Sequence, residues 1–333
     1  MIQIADMMSD TAFPSRGALT VAFAHVAYRA AEEFAARRTG VAHFEVRTLE
    51  ELEGRASQAD VLVVSGLWRN SLIASLPKLR FVQSFSAGTD QYDEALFARR
   101  GVRLANAQGV NERAVAEHAM ALTLALTRQL HKARDNQRER RWRGMIGDRA
   151  LREQELGGGT LVVVGLGRIG MRLARLARAF DMRVIGVRRT ATPAPEAADE
   201  VVAVAGLKGA LAKADVVALT CPLTQETEGL IGVAALKALK PGALLINVAR
   251  GKVVDEAALL AALSDGRVGA AALDCFHDEP LRAESPFWTL PNVLITPHSA
   301  GETGRYEANL VDILVDNIER LLRGETALRN QVV

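Results

Sequence analysis

The chain has 333 residues, which is enough for about two domains of roughly 150 residues each. Hydrophobic residues make up 49% and charged residues 24%, a composition typical of globular proteins with a buried core. The 41 Lys and Arg residues against 39 Asp and Glu residues leave a net charge of +2, so no overall field favours nucleic acid or an anionic membrane as a partner. Cys221 and Cys275 are too few for a disulfide framework and favour a reducing, cytoplasmic location. We recognise no signal peptide, and no apolar run of about 18 residues predicts a membrane span.

The first hundred residues predict a small α/β domain, because short apolar runs alternate with a helical pattern at 26–38. A longer amphipathic helix is predicted at 112–129, and a polar, basic segment follows it at 132–152. The predicted strands are TVAF (20–23), FEVR (44–47), VLVV (61–64), FVQSF (81–85) and VRLA (102–105).

A second and stronger α/β series begins at Thr160. Its apolar runs are nearly continuous, as expected for parallel strands buried on both faces. Helical patterns occur at 171–180 and, near the end of the chain, at 306–322. The sequence therefore predicts two doubly wound parallel-sheet units. The strands of the second series are LVVV (161–164), VIGV (184–187), VVAL (216–219), ALLINV (243–248), GAAAL (269–273) and VLIT (293–296).

Gly165, Gly167 and Gly170 have G-x-G-x-x-G spacing between an apolar strand and an amphipathic helix. In that setting the first glycine permits a tight turn, the second lets the backbone approach a pyrophosphate, and the third lets helix and strand pack closely. Free N–H groups at the helix start, near Arg168 and Ile169, would receive the phosphates. The alternative is a glycine-rich turn that binds no ligand.

In this fold an acidic residue after the second strand usually binds the adenosine ribose and marks NAD. Here the strand is followed by Arg188, Arg189 and Thr190, with Arg188 at an offset of 188 − 165 = 23 from the first glycine. A guanidinium can bind a 2′-phosphate in bidentate fashion. NADP(H) is therefore favoured, and NAD(H) remains possible. The alternative is a solvated arginine pair beside a tolerant ribose pocket.

Ligands of an open parallel sheet bind outside the carboxyl ends of its strands. The residues that follow the later predicted strands should therefore face one crevice. They are Thr220, Cys221 and Pro222, then Ala249 and Arg250, then Asp274, and finally His298.

This set of residues suits hydride transfer to a ketone, which needs a proton donor for the carbonyl oxygen. His298 is the candidate donor, and a neighbouring carboxylate such as Asp274, or Glu279 in the following loop, would orient its ring and favour the imidazolium. Arg250 would bind a substrate carboxylate and polarise the carbonyl. The remaining histidines are interpreted as structural; they are His25, His43, His118, His131 and His277.

The chain resembles the D-isomer-specific 2-hydroxyacid dehydrogenases over nearly its whole length. Several spaced motifs in the same order carry this resemblance. The motifs are SAGTD (86–90), NERAVAEHAMALTLALTR (111–128), VVVGLGRIG (162–170), LINVARG (245–251), LDCFHDEPL (273–281) and TPHSAG (296–301).

The resemblance implies roles for individual residues. The family's catalytic arginine, glutamate and histidine fall on Arg250, Glu279 and His298, and Asp274 matches an aspartate that contacts the nicotinamide carboxamide. Its carboxylate-binding loop falls on Ala87, Gly88 and Thr89, which with Arg250 would bind the substrate. The implied cofactor contacts are Gly165, Gly167, Arg168, Ile169, Gly170, Arg188, Arg189, Thr190, Cys221, Pro222, Ala249, Asp274 and His298. No metal site is predicted.

The resemblance also implies a domain arrangement in which a Rossmann coenzyme domain, 106–298, is inserted into a flavodoxin-like substrate domain made of 1–105 and 299–333. The stretch 111–150 resembles the family's dimerisation arm and implies a homodimer. Two departures occur: Arg188 replaces the common aspartate, as in NADPH-preferring glyoxylate and hydroxypyruvate reductases, and Cys275 replaces a usual valine. The implied function is reduction of a small 2-keto acid to a D-2-hydroxy acid.

Two alternatives remain open at this level. One is a superfamily dehydrogenase that acts on another small anion, and the other is a dinucleotide-sensing regulator like the C-terminal-binding-protein corepressors. Nucleic-acid binding by the basic segment 132–152 is disfavoured, since charge runs are usually solvated faces. Side-chain selectivity is expected to depend on the loops at 65–68 and 287–288.

Overall fold

The computed structural model describes residues 13–333, and this part of the chain divides into two compact units. The first unit contains the described residues up to Asn111 together with Thr303–Val333. The second unit is Glu112–Glu302.

The first unit is built on a five-stranded parallel sheet in the order β2-β1-β3-β4-β5. Its central strands are fully buried because helices cover both faces of the sheet; Val61–Val64 is wholly apolar, and Phe81–Ser84 also buries Gln83 and Ser84. This strand order is that of flavodoxin-like domains. The strands are β1 (Thr20–Ala24), β2 (Ala42–Val46), β3 (Val61–Val64), β4 (Phe81–Ser84) and β5 (Arg103–Ala105), and the helices are α1 (Ala30–Ala36), α2 (Leu49–Arg55), α3 (Glu94–Arg100) and α10 (Tyr306–Leu322).

The second unit is built on a seven-stranded parallel sheet in the order β12-β11-β10-β9-β6-β7-β8. The strand order reverses between β6 and β9, so a crevice opens there at the carboxyl ends of the strands, which is where open α/β sheets bind ligands. The strands are β6 (Thr160–Val164), β7 (Arg183–Arg188), β8 (Glu200–Ala203), β9 (Val216–Leu219), β10 (Ala243–Asn247), β11 (Val268–Leu273) and β12 (Val293–Ile295), and the helices are α4 (Glu112–Thr127), α5 (Leu130–Arg138), α6 (Arg168–Ala179), α7 (Leu207–Leu211), α8 (Val233–Ala238) and α9 (Glu256–Ser264).

The predicted fold class is confirmed, and every predicted strand forms with its ends displaced by at most two residues. The prediction omitted β8, a half-buried edge strand, although the apolar run VVAVA (201–205) overlaps it. The helix predicted at 26–38 was too long at its start. There the Nδ1 atom of His25 accepts hydrogen bonds from the backbone N–H groups of Ala27 and Tyr28, which stabilises a turn in place of a helical one.

In the part of the chain that the structure describes, no helix combines the length and the apolar character needed to cross a bilayer.

Candidate dinucleotide and catalytic site

Two of the three motif glycines are required by packing inside the protein. Gly165 has a φ of +100°, and a Cβ atom there would lie 2.4 Å from the backbone nitrogen of Cys221. A Cβ atom on Gly170 would lie 2.4 Å from the carbonyl oxygen of Gly165. Strand β6, helix α6 and the turn after β9 can therefore approach one another only because both positions lack a side chain.

Gly167 differs, because no protein atom requires its missing side chain. Its backbone is extended, with φ −91° and ψ −159°, and a Cβ atom there would have no neighbour within 4 Å. Gly167 is also the N-cap of the twelve-residue helix α6, whose first turn carries Arg168 and Ile169. Open space beside the free N–H groups of a helix start fits the pyrophosphate of a dinucleotide.

Arg188 ends strand β7, and Arg189 and Thr190 follow it on the surface. Arg188 is half-buried, and within the described residues neither of these two arginines forms an ion pair. Their positive charge is therefore not neutralised by the protein. Unpaired guanidinium groups at this strand end are suited to binding an anionic group.

The turn after β9 lies directly against the glycine loop. The Thr220 hydroxyl donates to the carbonyl oxygen of Gly165 at 2.8 Å. Cys221 is buried, and burial raises the pKa of its thiol to about 11, so it has no thiolate character at neutral pH. Pro222 is exposed beside it. Cys221 therefore contributes to this site through its backbone, which packs directly against Gly165.

His298 and Glu279 form a hydrogen-bonded pair. The Nδ1 atom of His298 lies 2.7 Å from Oε2 of Glu279, and the backbone N–H of Phe276 donates to Oε1 of the same carboxylate at 2.9 Å. Both carboxylate oxygens are thus used, one to fix Glu279 and the other to orient the ring. Because Nδ1 faces Glu279, Nε2 is the ring nitrogen left to exchange a proton with a substrate. The His298 side chain is 44% exposed, which permits that exchange.

The turn that carries Arg250 is held by two residues that were not among the predicted site residues. The Asn247 side chain accepts from the Ala249 N–H at 3.0 Å and donates to the Arg250 carbonyl oxygen at 3.1 Å. A Cβ atom on Gly251 would stand 1.9 Å from the carbonyl carbon of Phe276. Gly251 therefore lets the Arg250 turn pack directly on the backbone that anchors Glu279. Asn247 and Gly251 both lie in the motif LINVARG (245–251), but only their contacts in the structure show that they support this turn.

Asp274 is 2% exposed, and the hydrogen bonds to its carboxylate come from the segment around His298. Its Oδ1 atom accepts from the Thr296 hydroxyl at 2.5 Å and from the Ser299 N–H at 2.9 Å, and its Oδ2 atom accepts from the Ala300 N–H at 3.0 Å. The structure therefore gives Asp274 a role that the sequence did not suggest, which is to hold the turn that follows His298. A contact with the nicotinamide carboxamide stays a prediction.

In the first unit, Ala87, Gly88 and Thr89 follow the carboxyl end of β4. Their N–H groups have no hydrogen-bond acceptor among the described residues, as an anion-binding loop would require. Trp68, in one of the two candidate selectivity loops, is 2% exposed and packs on Phe97 with ring centroids 5.3 Å apart. It therefore belongs to the core of the first unit.

A family model described as "D-isomer specific 2-hydroxyacid dehydrogenase, NAD binding domain" matches residues 120–300. This match covers more than half of the chain. The protein belongs to the D-isomer specific 2-hydroxyacid dehydrogenase family.

Relatives within this family carry different names. Glyoxylate/hydroxypyruvate reductase B of Yersinia enterocolitica is 35% identical over 294 residues, which cover 85% of this chain and 89% of that protein. D-3-phosphoglycerate dehydrogenase of Mycobacterium tuberculosis is 36% identical over 278 residues, 83% of this chain but 52% of that protein. The chain thus spans about half the length of the phosphoglycerate dehydrogenase. The predicted family is confirmed.

Among solved structures, a D-isomer specific 2-hydroxyacid dehydrogenase from Xanthobacter autotrophicus Py2, in complex with NADPH and MES, is 29% identical with a TM-score of 0.78. The similarity covers 95% of this chain and 98% of that one. The two-sheet architecture described above is therefore an architecture of this dehydrogenase family.

The segment predicted as the family's dimerisation arm contains α4 and α5, followed by exposed chain that carries Trp142 and Met145. Both side chains are fully exposed, which is unusual for large apolar groups. Trp142 lines a cavity of about 730 Å³ together with largely polar and basic residues, Arg128 and Lys132 among them.

Proposed function

We propose that this protein is an NADPH-preferring reductase of small 2-keto acids, of the glyoxylate and hydroxypyruvate class, which also catalyses the reverse oxidation of D-2-hydroxy acids. The observation that carries this proposal is the His298–Glu279 pair, in which both carboxylate oxygens are committed and Nε2 is left to transfer a proton. When bound, the nicotinamide dinucleotide supplies or accepts the hydride.

The residues of the chain would perform the remaining tasks. The Arg250 guanidinium binds the carboxylate of the substrate and polarises the adjacent carbonyl. His298 transfers a proton from Nε2 to the carbonyl oxygen as the hydroxyl forms, and Glu279 stabilises the charged ring before that transfer. In the oxidative direction His298 takes the hydroxyl proton back.

The dinucleotide would be bound along the glycine loop and the ends of the following strands. Gly167 and the first turn of α6, with Arg168 and Ile169, receive the pyrophosphate. Arg188, with Arg189 and Thr190, receives the 2′-phosphate, and the unneutralised charge at this strand end supports NADPH over NADH. Cys221, Pro222, Ala249 and Asp274 line the rest of the coenzyme path.

The names of the relatives suggest two substrate classes, glyoxylate or hydroxypyruvate on one side and 3-phosphoglycerate on the other. The reductase named for glyoxylate and hydroxypyruvate is covered over nearly its full length, whereas the phosphoglycerate dehydrogenase is covered over about half. This difference favours the first substrate class. A corepressor-like regulator of the same fold would bind the dinucleotide without rapid turnover.

The test is a steady-state panel of glyoxylate, hydroxypyruvate, pyruvate and phenylpyruvate, each with NADPH and with NADH, together with oxidation of 3-phosphoglycerate. We expect the highest kcat/KM for glyoxylate or hydroxypyruvate with NADPH. A higher kcat/KM for 3-phosphoglycerate would overturn the substrate assignment, and dinucleotide binding without turnover of any acid would favour the regulator.

We also propose that the arm pairs two copies of the chain, because Trp142 and Met145 are large apolar groups left in water by one copy. Sedimentation equilibrium should give twice the mass of 35.9 kDa. A monomer at micromolar concentration would refute this proposal. The cytoplasmic location stays a prediction from cysteine usage.

A further inference from the structure

The turn that carries His298 has an unfavourable backbone conformation. His298 has a φ of +53°, in the left-handed region that non-glycine residues rarely adopt. Such a conformation persists only where the surrounding structure enforces it. The two N–H groups that directly follow, those of Ser299 and Ala300, are both bound by the buried carboxylate of Asp274. Asp274 therefore fixes the direction of the chain as it leaves the catalytic histidine.

Asp274 is in turn held from helix α4 through a short hydrogen-bonded relay. The Thr296 hydroxyl lies 2.5 Å from Oδ1 of Asp274 and 3.1 Å from Nε2 of His118. A carboxylate only accepts hydrogen bonds, so the single hydroxyl proton of Thr296 points to Asp274. The hydroxyl oxygen must then accept from His118, which places a proton on Nε2 of His118. The order of donation is His118 to Thr296 to Asp274.

Two further observations distinguish this relay from a surface contact. His118 Nε2 is 3.6 Å from Oδ1 of Asp274, so ring and carboxylate are close even without the hydroxyl between them. The relay also joins residues 178 positions apart, since His118 lies in α4 and Thr296 directly follows β12. Hydrogen bonds to a carboxylate that is 2% exposed meet little competition from water.

We propose that His118 and Thr296 are positioning residues for His298: they orient the Asp274 carboxylate, which holds the Ser299 and Ala300 amides and thereby sets the ring of His298 against Glu279. This revises the interpretation of His118 as merely structural. The inference rests on the proposed function for the role of His298 in proton transfer, whereas the relay itself is defined by the contacts alone.

The test uses pairs of variants that separate the hydrogen bond from the shape. Thr296→Val keeps the branched shape and removes the hydroxyl, while Thr296→Ser keeps the hydroxyl. His118→Ala removes the ring, while His118→Gln keeps an N–H donor. Thr123→Val is a matched control, because it removes a buried hydroxyl from the same helix α4 whose partner is the Ala119 carbonyl oxygen and not Asp274.

We expect Thr296→Val to lower kcat about 10- to 100-fold, the range that corresponds to one hydrogen bond to a charged group. His118→Ala should lower kcat by about threefold to tenfold, because His118 reaches Asp274 only through Thr296 and the hydrogen bond that is lost, from His118 to the Thr296 hydroxyl, is between neutral groups. The serine and glutamine variants should retain most of the kcat, and Thr123→Val should match the wild type. The Kd for NADPH and the KM for the keto acid should change much less than kcat, since the relay acts on the histidine.

A second readout does not depend on turnover. In protein labelled with 15N-histidine, the ring signals of His298 can be assigned by their loss in His298→Gln. They should shift in Thr296→Val and His118→Ala and coincide with the wild type in Thr296→Ser. Unchanged His298 signals together with unchanged kcat in Thr296→Val would overturn the proposal, as would equal losses in Thr296→Ser.

These outcomes also separate the inference from the proposed function. A wild-type protein that binds NADPH but reduces no keto acid would refute the proposed function, and the ring signals of His298 would still decide whether the relay positions it. If Thr296→Val does not fold, the His118→Ala and His118→Gln pair decides. Identical kcat values and His298 signals in both His118 variants and the wild type would then refute the relay.

Discussion

Gly167 offers the sharpest test of the coenzyme site, because the structure separates its role from those of the neighbouring glycines. We consider the substitution Gly167→Ala. The backbone at this position, with φ −91° and ψ −159°, is open to any residue, and the new methyl group would meet no protein atom within 4 Å. The substitution therefore adds one methyl group to the space in front of helix α6 and changes nothing else in the protein.

The expected effect on stability is close to zero. Replacing glycine by alanine in a compatible conformation stabilises a protein by about 0.4–1 kcal/mol through the unfolded state. Alanine is a poorer N-cap than glycine by an amount of similar size, about 1 kcal/mol at most. These two contributions nearly cancel, so we expect a melting temperature within about 3 °C of the wild type.

The expected effect on dinucleotide binding is large. If the pyrophosphate lies against the Gly167 backbone, the methyl group occupies its place, and overpacking of this kind costs about 1–3 kcal/mol. The Kd for NADPH should then rise roughly 5- to 150-fold. Thermal unfolding of the protein alone and calorimetric titration with NADPH measure the two quantities separately.

Gly165→Ala is the matched control, because it should behave in the opposite way. A Cβ atom there would lie 2.4 Å from the Cys221 nitrogen at a φ of +100°, so the loss of stability should exceed about 3 kcal/mol. An NADPH affinity of Gly167→Ala equal to that of the wild type would refute the reasoning. It would mean that the glycine-rich turn exists for packing alone and that no phosphate approaches it.

Three further predictions follow from the same site. His298→Ala should lower kcat for keto-acid reduction by about 10²- to 10⁴-fold, and a near wild-type rate in a stopped-flow assay would exclude His298 as the proton donor. Arg188→Asp should reverse the preference in kcat/KM from NADPH to NADH, while Arg183→Asp, at the opposite end of the same strand, should leave it unchanged; an NADH preference in the wild type would contradict the assignment. Because burial raises the pKa of the Cys221 thiol to about 11 and raises that of Cys275 further, neither should react with a thiol-specific disulfide reagent at pH 8 before unfolding, and rapid labelling of the native protein would show that the burial is wrong.

Much of the fold could be predicted from local patterns, because buried parallel strands are short apolar runs that a sequence displays directly. The failures have local causes as well. Strand β8 is half-buried at the sheet edge, and its apolar run VVAVA (201–205) continues past the strand into a 3₁₀ turn, so the run does not mark a strand by itself. The start of α1 depends on the His25 side chain accepting from Ala27 and Tyr28, which a helical apolar pattern does not register.

In the candidate site, the residues with catalytic chemistry could be predicted from the sequence, whereas the residues that support them could not. His298 and Glu279 carry chemistry that marks them wherever they occur at a strand end or in the loop beyond it. The residues that support this pair, such as Gly251 and His118, carry no such chemical mark in the sequence. Gly251 matters because its backbone meets Phe276, and His118 matters because Thr296 lies beside it across 178 positions of sequence. Only the folded chain brings these partners together.

The positive charge around β7 is distributed in a way that supports a ligand at one end of the strand. Arg178, in the last turn of α6, is 3.6 Å from Asp199, and Arg183 at the start of β7 is 2.8 Å from Glu200. Arg188 and Arg189 at the carboxyl end have no such partner among the described residues. Near the start of the strand the guanidinium groups of Arg178 and Arg183 are paired, whereas those of Arg188 and Arg189 are unpaired within the described chain at the carboxyl end, the edge where open parallel sheets bind phosphates.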